Sequence, residues 1–406
     1  MRVRVRAECR LCGGALELLL DYGLAPLANA LRASAEEPER RAPLSLRRCR
    51  SCGLVQVPEV VDPTLLFADY PYRTGTSRTM RDHLDALAGA LADEQPGGRV
   101  LEVGCNDGSL LEALAGRGVW AMGVDPAQQA GEEARRAGLR VRTALFDEES
   151  AEAIGREHGR FDRVVGTNVL AHVDDPVALV RQAARLLRPG GRLVFEVPSL
   201  QAFLDAGALD TVYHEHLCVF SRASLLRLAE AAGLGVLGFQ AQAIHGGSLR
   251  VTLAPGRHSP GALAQVEAEA SRISRGRLRA LPGRAERLRT RVLRALEPTR
   301  ERGGRLVGYG ASAKGVMLLH LCRIDDLSWV LDANPAKQGR LLPVGRIPIL
   351  PPDSLRERPA DLVLLLAWNL VTEVRGLLLG LAPELLVPLP RLTRYALAGT
   401  TAAPTR

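Results

Sequence analysis

The chain has 406 residues, 47% of them hydrophobic, and a mean hydropathy near zero, which suits two or three domains with ordinary cores. It has no run of about 20 apolar residues to span a membrane, and its start, Met-Arg-Val-Arg-Val-Arg-Ala-Glu-Cys, lacks the apolar core of a signal peptide, so the cytoplasm is the expected location. The net charge of +8 invites a nucleic-acid reading, but only two of the 53 basic residues are lysine, Lys314 and Lys337, and the arginines are dispersed without aromatic interleaving; this fits codon bias and a solvated surface, and no nucleic-acid or membrane partner is expected.

The first unit, residues 1–75, carries two near-identical knuckles, Cys9-Arg-Leu-Cys-Gly13 and Cys49-Arg-Ser-Cys-Gly53. The glycine after each pair permits the tight turn that aims two sulfurs at one ion. Four thiolates suit a closed tetrahedral site, so Cys9, Cys12, Cys49 and Cys52 are expected to bind a structural Zn2+. The 36 residues between the pairs exceed the usual ribbon spacing and imply an inserted loop. Unpaired thiols or a redox Cys-x-x-Cys are the alternative, and repetition of the whole knuckle speaks against it. Cys105, Cys218 and Cys322 read as small buried side chains.

A connector, Asp69-Tyr-Pro-Tyr-Arg-Thr-Gly-Thr-Ser77, leads to a helix expected from about Thr79 to Ala92. Tyr70 is assigned to substrate contact and Tyr72 to the catalytic set; packing at a domain junction is the competing reading for both. Residues 76–255 form the next unit, whose strands and helices alternate as in a parallel α/β sheet. Its signals are the strand Arg99–Val103, a loop opening a helix at Ser109, a strand ending at Asp125, a strand from Phe161 to Val165, and Pro189-Gly-Gly191 turning into Arg192–Val197. Residues 256–300 are expected to be one or two connecting helices broken at Pro282 and Pro298. Residues 301–395 form a smaller α/β domain with strands at Arg305–Tyr309, Trp329–Asp332 and Asp361–Leu366, and a frayed tail follows.

Glu102-x-Gly104-x-x-x-Gly108 lies between a strand and a helix but lacks the dinucleotide fingerprint. A pyrophosphate wants bare amides at a helix N-terminus. S-adenosylmethionine carries a sulfonium, an amino acid end and an adenosine, and a strand-end carboxylate with Asn106 and Asp107 in the loop suits it better. Asp125 can accept from the ribose hydroxyls, Asp147 is placed for the adenine amino group, and Asn168 lies at the carboxyl edge of the sheet. With Pro-Gly-Gly in order behind them, these residues resemble the class I S-adenosylmethionine-dependent methyltransferases.

Tyr213-His-Glu-His216 packs proton-handling groups into four positions of a chain with eight histidines and six tyrosines. A four-cysteine module, a methyltransferase, Tyr-x-Glu-His and Gly308-Tyr-Gly-Ala-Ser-Ala-Lys-Gly315 together resemble the sugar C-methyltransferases of antibiotic biosynthesis, which act on nucleotide-linked 4-keto-6-deoxysugars. Asn168-Val-Leu-Ala-His-Val173, His245-Gly-Gly-Ser-Leu249, Asn334-Pro-Ala-Lys-Gln-Gly339 and Ala367-Trp-Asn369 extend the likeness over nearly the whole chain. The resemblance implies a class I Rossmann-like core, a C-terminal Rossmann-like α/β domain and a dTDP-4-keto-deoxysugar substrate. It makes His216 the base that removes the proton alpha to the ketone, with Glu215, Tyr213 and His172 in support. Tyr213 or His172 is assigned to the keto oxygen, and Glu215 to orienting an imidazole. Both C-3 and C-5 flank the ketone, and C-3 is preferred.

Lys314 and Ser312, in a loop that could cradle a diphosphate, and Lys337 are assigned to the substrate; a domain interface is the alternative for the lysines. A monomer is expected. Two rivals are an RNA methyltransferase using the zinc module and the positive charge, and a non-catalytic zinc scaffold with a dead core.

Overall fold

A computed structural model describes residues 3–67 and 72–397 and divides into two compact units. Neither unit is one continuous piece of chain. The first comprises residues 1–21, 44–204 and 214–279, and the second comprises 22–43, 205–213 and 280–406.

The first unit begins with β1 (Val3–Val5), which pairs antiparallel with β5 (Glu59–Val61). Between them lie β2 (Leu16–Pro26), β3 (Arg41–Cys49) and β4 (Val55–Gln56), and a short helix α1 (Pro63–Phe67) follows. Strands β2 and β3 extend into residues 22–43, which cluster with the second unit, so the long spacing between the cysteine knuckles holds two strands and the loop of residues 27–40.

The core of this unit is a seven-stranded sheet, in chain order β6 (Arg99–Val103), β7 (Trp120–Asp125), β8 (Val141–Thr143), β9 (Phe161–Thr167), β10 (Leu187–Pro198), β12 (Gly235–Gln242) and β13 (Ser248–Ala254), with β11 (Cys218–Val219) outside it. The spatial order is β12-β13-β10-β9-β6-β7-β8. The five strands from β10 to β8 are parallel, and β13 and β12 add an antiparallel edge. Both faces are buried, so successive residues of one strand enter opposite cores. Val100, Val165 and Val194 point to a core completed by Met80, Leu84, Leu87 and Leu91 of α2 (Arg78–Glu94). Leu101, Val164 and Phe195 point the other way, into a core that also holds Cys9, Cys49 and Leu54 of the knuckles.

The intervening helices are α3 (Ser109–Ala115), α4 (Gln128–Arg136), α5 (Glu148–His158), α6 (Pro176–Arg185), α7 (Leu200–Ala206) and α8 (Arg222–Ala232). Pro189-Gly-Gly191 does not precede its strand but lies inside β10, where the register with β9 shifts between Leu187 and Arg192. A bulge accommodates the missing Pro N–H without ending the strand.

The connector is three helices, α9 (Pro260–Ala270), α10 (Arg275–Arg279) and α11 (Leu281–Glu301), the last belonging to the second unit. Pro282 starts α11 rather than breaking it, because its missing N–H falls among the donors that a first turn leaves unused. Pro298 sits within the same helix without ending it. The second unit has a six-stranded sheet of β14 (Leu306–Tyr309), β15 (Trp329–Leu331), β16 (Ile349–Leu350), β17 (Leu362–Leu365), β18 (Glu384–Val387) and β19 (Thr393–Ala396). Its order is β16-β15-β14-β17-β18-β19, parallel except for β19, with α12 (Ala313–Cys322) and α13 (Val371–Leu378) among its helices. Among the described residues no helix is long and apolar enough to cross a membrane.

Candidate active site

The knuckles bring the four sulfurs of Cys9, Cys12, Cys49 and Cys52 within 4.8 Å of one another. Cys9 to Cys52 and Cys12 to Cys49 are each 3.5 Å. A zinc ion with Zn–S bonds of about 2.3 Å at tetrahedral angles needs sulfurs about 3.8 Å apart, so the set fits. Backbone N–H groups of Leu11 and Cys52 donate to the Cys9 and Cys49 sulfurs at 3.4 Å, which suits thiolates. The module then reaches the rest of the site through its backbone. Strand β4 pairs antiparallel with β11, Val55 opposite Val219 and Gln56 opposite Cys218, and Val57 N donates to Leu217 O at 3.0 Å.

The cofactor loop crosses the carboxyl end of β6. Gly104 has φ +77°, and a Cβ there would stand 2.9 Å from Val169 Cβ. Glu102 is buried, and its Oε2 has no hydrogen-bond partner among the described residues. Burial, reinforced by Asp107 and Asp125, pushes its carboxyl well above the usual range. Asp125 ends β7 and accepts from Asn106 N and Ala127 N, each at 2.8 Å, which leaves lone pairs on both oxygens for a diol. Burial raises its pKa as well. The Asp107 and Asp125 carboxylates and the unmatched Glu102 Oε2 disfavour a phosphate and fit a cationic ligand with amino and hydroxyl donors, which is the chemistry of S-adenosylmethionine. The substitution Gly104→Ala is expected to weaken cofactor binding at least tenfold by calorimetry, since the added methyl group combines an unfavourable φ with a clash.

The other expected cofactor residues have additional tasks. The Asn106 and Asp107 side chains hydrogen-bond to residues 72–75. Gly108 has φ +79° and caps α3. Asp147 is exposed and caps α5, accepting from Ser150 N at 2.9 Å. Asn168 is left-handed, φ +59°, at the end of β9, and its N–H donates to Glu196 O at 2.9 Å.

In the same unit the rings of His172 and His216 meet edge to face, with centroids 4.8 Å apart and planes at 82°. Leu217 N donates to Ala171 O at 2.8 Å and fixes the two loops that carry them. His214 and Glu215 are fully buried, and His216 is 8% exposed. Burial pushes His172 down to about 4, so it is neutral at pH 7 and adds no charge against a proton arriving on its neighbour. The sign for stability follows from linkage. The folded value lies below that of an ordinary imidazole, so the contribution is complete above about pH 6.5 and is lost as pH falls toward 4. His172→Asn is expected to be less acid-sensitive than the parent by about 1–2 kcal/mol between pH 7 and 5, read as a smaller fall in Tm.

Tyr213 is buried, and the division between the units falls between it and His214. Tyr72 is half-buried, and Tyr70 lies outside the described residues.

In the second unit the loop assigned to a diphosphate is closely packed. Its loop glycines serve packing: a Cβ on Gly310 would lie 2.7 Å from Ala367 Cβ, and one on Gly315 2.7 Å from Gly310 O. Ser312 caps α12 by accepting from Gly315 N at 3.1 Å. Lys337 donates to Ala311 O at 2.8 Å and pairs with Asp332 at 3.4 Å. Asp332 also accepts from Ala311 N and Asn334 N, each at 2.8 Å. Lys314 is buried, its ammonium 5.5 Å from the centre of the Trp368 ring. Burial lowers its pKa to about 8, against the pull of Asp210. Asp210, which accepts from Trp368 Nε1 at 2.7 Å, is raised by burial to about 6. Sequence reasoning missed Asp210 because a lone acid between Leu209 and Thr211 carries no signal of its partners.

Three family models tile the chain: "Putative zinc binding domain" over residues 9–67, "Methyltransferase domain" over 72–237 and "C-methyltransferase C-terminal domain" over 243–380. C-methyltransferase NovU of Streptomyces niveus is 33% identical over 388 residues, covering 92% of each chain. The chain belongs to the C-methyltransferase family. This C-methyltransferase depends on S-adenosylmethionine, which supplies an electrophilic methyl group when bound, and its four cysteines form the zinc site. Its core alone resembles more distant enzymes: a ubiquinone biosynthesis O-methyltransferase of Methylococcus capsulatus is 34% identical over 36% of this chain and 66% of its own. The solved magnesium protoporphyrin IX methyltransferase of Synechocystis aligns over 43% of this chain and 79% of its own, with 18% identity and a TM-score of 0.34, and adds nothing to the assignment.

Proposed function

We propose that this C-methyltransferase methylates the carbon alpha to the ketone of a dTDP-4-keto-6-deoxysugar, C-3 in preference to C-5, in deoxysugar biosynthesis for antibiotics. A C–H bond beside a ketone is a weak acid, and its removal needs a positioned base and a donor to the developing enolate oxygen. His216 is the proposed base. Tyr213 or neutral His172 donates to the keto oxygen, Glu215 orients an imidazole, and the enolate carbon then attacks the sulfonium methyl in line. Tyr72, Tyr70 and Lys314 stay with the acceptor in this proposal. Ser312 and Lys337 are proposed as substrate contacts as well, alongside the bonds they make within their own unit.

The observation that carries the reading is the His172–His216 ring pair, one member held neutral, in the unit that also holds the cofactor loop. The zinc site is structural in this scheme, and no nucleic acid takes part. Labelled methyl donor with a panel of dTDP-4-keto-sugars, followed by NMR of the product, tests it. A methyl on the carbon next to C-4 is expected; a methyl on oxygen, or transfer only to RNA, would sink the proposal.

A further inference from the structure

Asn106 and Asp107 use their side chains on the protein itself. Asn106 Oδ1 accepts from Thr74 N at 3.0 Å and from Thr74 Oγ1 at 3.3 Å, and Asn106 Nδ2 donates to Tyr72 O at 3.2 Å. Asp107 Oδ2 accepts from Gly75 N at 2.8 Å. Gly75 packs so closely that a Cβ would stand 2.7 Å from Ser109 Oγ and 3.3 Å from Asp107 Oδ2. Between these contacts the Arg73 guanidinium forks onto Glu133 of α4, at 2.8 and 3.1 Å.

The loop end of this arrangement is itself constrained. Asn106 holds φ +48°, a left-handed conformation that is uncommon outside glycine. Its N–H is fixed by Asp125, the acid at the end of β7 that suits the cofactor ribose. A single residue therefore joins the Asp125 carboxylate to the main chain of Tyr72 and Thr74. Were the cofactor to order this loop, the same hydrogen bonds would carry that order to residues 72–75, and linkage would make the coupling reciprocal.

We propose that Tyr72–Gly75 is a strap set by the cofactor loop, with Asn106 and Arg73 as positioning residues that make acceptor binding depend on a filled cofactor site. The acceptor half rests on the reading of Tyr72 as a residue of the acceptor site. The Arg73–Glu133 pair lies partly in solvent, the Glu133 side chain 50% exposed, so breaking it should leave the fold intact.

Two measurements test the strap. Hydrogen exchange at the Thr74 and Gly75 amides is expected to slow at least fivefold when S-adenosylhomocysteine is added to the parent protein, and not in Asn106→Ala. This readout needs no acceptor, so it stands even if the sugar substrate is misassigned; equal exchange with and without the ligand would overturn the proposal. In steady state, Arg73→Ala and Glu133→Gln are expected to raise the acceptor KM about tenfold with cofactor Kd within twofold. The swapped pair Arg73→Glu with Glu133→Arg should recover most of that loss, which a merely structural role would not produce. An unchanged acceptor KM in both single variants would overturn the acceptor half. Slowed exchange in a parent protein that turns over no dTDP-4-keto-sugar would leave the strap standing and instead refute the proposed substrate.

Discussion

His216→Asn is expected to lower methyl transfer by about 10²- to 10⁴-fold, the usual worth of a positioned general base, with cofactor affinity unchanged within twofold. Asparagine keeps a polar side chain of similar reach but cannot take a proton. The site should tolerate it, because the backbone around position 216 is fixed elsewhere: Leu217 N binds Ala171 O, and Cys218 and Val219 pair with β4. Single-turnover transfer of labelled methyl separates the chemical step from binding. Loss of kcat with retained cofactor Kd is the signature of a group that acts in the transition state.

Cys49→Ser is expected to remove zinc and to lower Tm by more than about 10 °C, since a structural zinc site contributes folding energy outright, about 10–16 kcal/mol of binding in small modules. Cys49 is fully buried and shares a core with Leu54, Phe161 and Phe195. Activity should go with it, although the ion is far from the chemistry in role: β4, between the second knuckle and β5, pairs with β11, which starts two residues after His216. Metal analysis, a melting curve and the methyl-transfer assay, run on the variant and on chelator-treated parent, check this. A zinc-free protein with parental Tm would contradict it.

Much of this was legible in the sequence because it is written locally. The Cys-x-x-Cys-Gly repeats, the Glu-x-Gly turn after an apolar strand, and the crowding at residues 213–216 each fit within a few positions. What was not legible depends on distant partners. Tyr22–Pro43 and Asp205–Tyr213 join the C-terminal unit, where the Tyr22 hydroxyl donates to Leu209 O at 2.9 Å; no period or spacing announces such a return. The two lysines stood out by rarity, but rarity does not say which way a side chain turns, and both are buried within their unit. Asn106 and Asp107 show by their place in the sequence that they belong to the cofactor loop, but not that their side chains also bond a segment more than 30 residues upstream. Pro298 does not break α11, because buried Leu288, Val292 and Leu296 hold the helix together across it, and no local spacing announces that packing.

The central claim is that a carbon acid is ionised before the methyl group moves. It is tested most directly by incubating the protein in D2O with S-adenosylhomocysteine and a dTDP-4-keto-6-deoxysugar, then following the ring protons by NMR. With no methyl to transfer, the parent protein should wash deuterium into the carbon next to the ketone, and His216→Asn should not. No exchange above that of buffer, or equal exchange by parent and variant, would contradict the account.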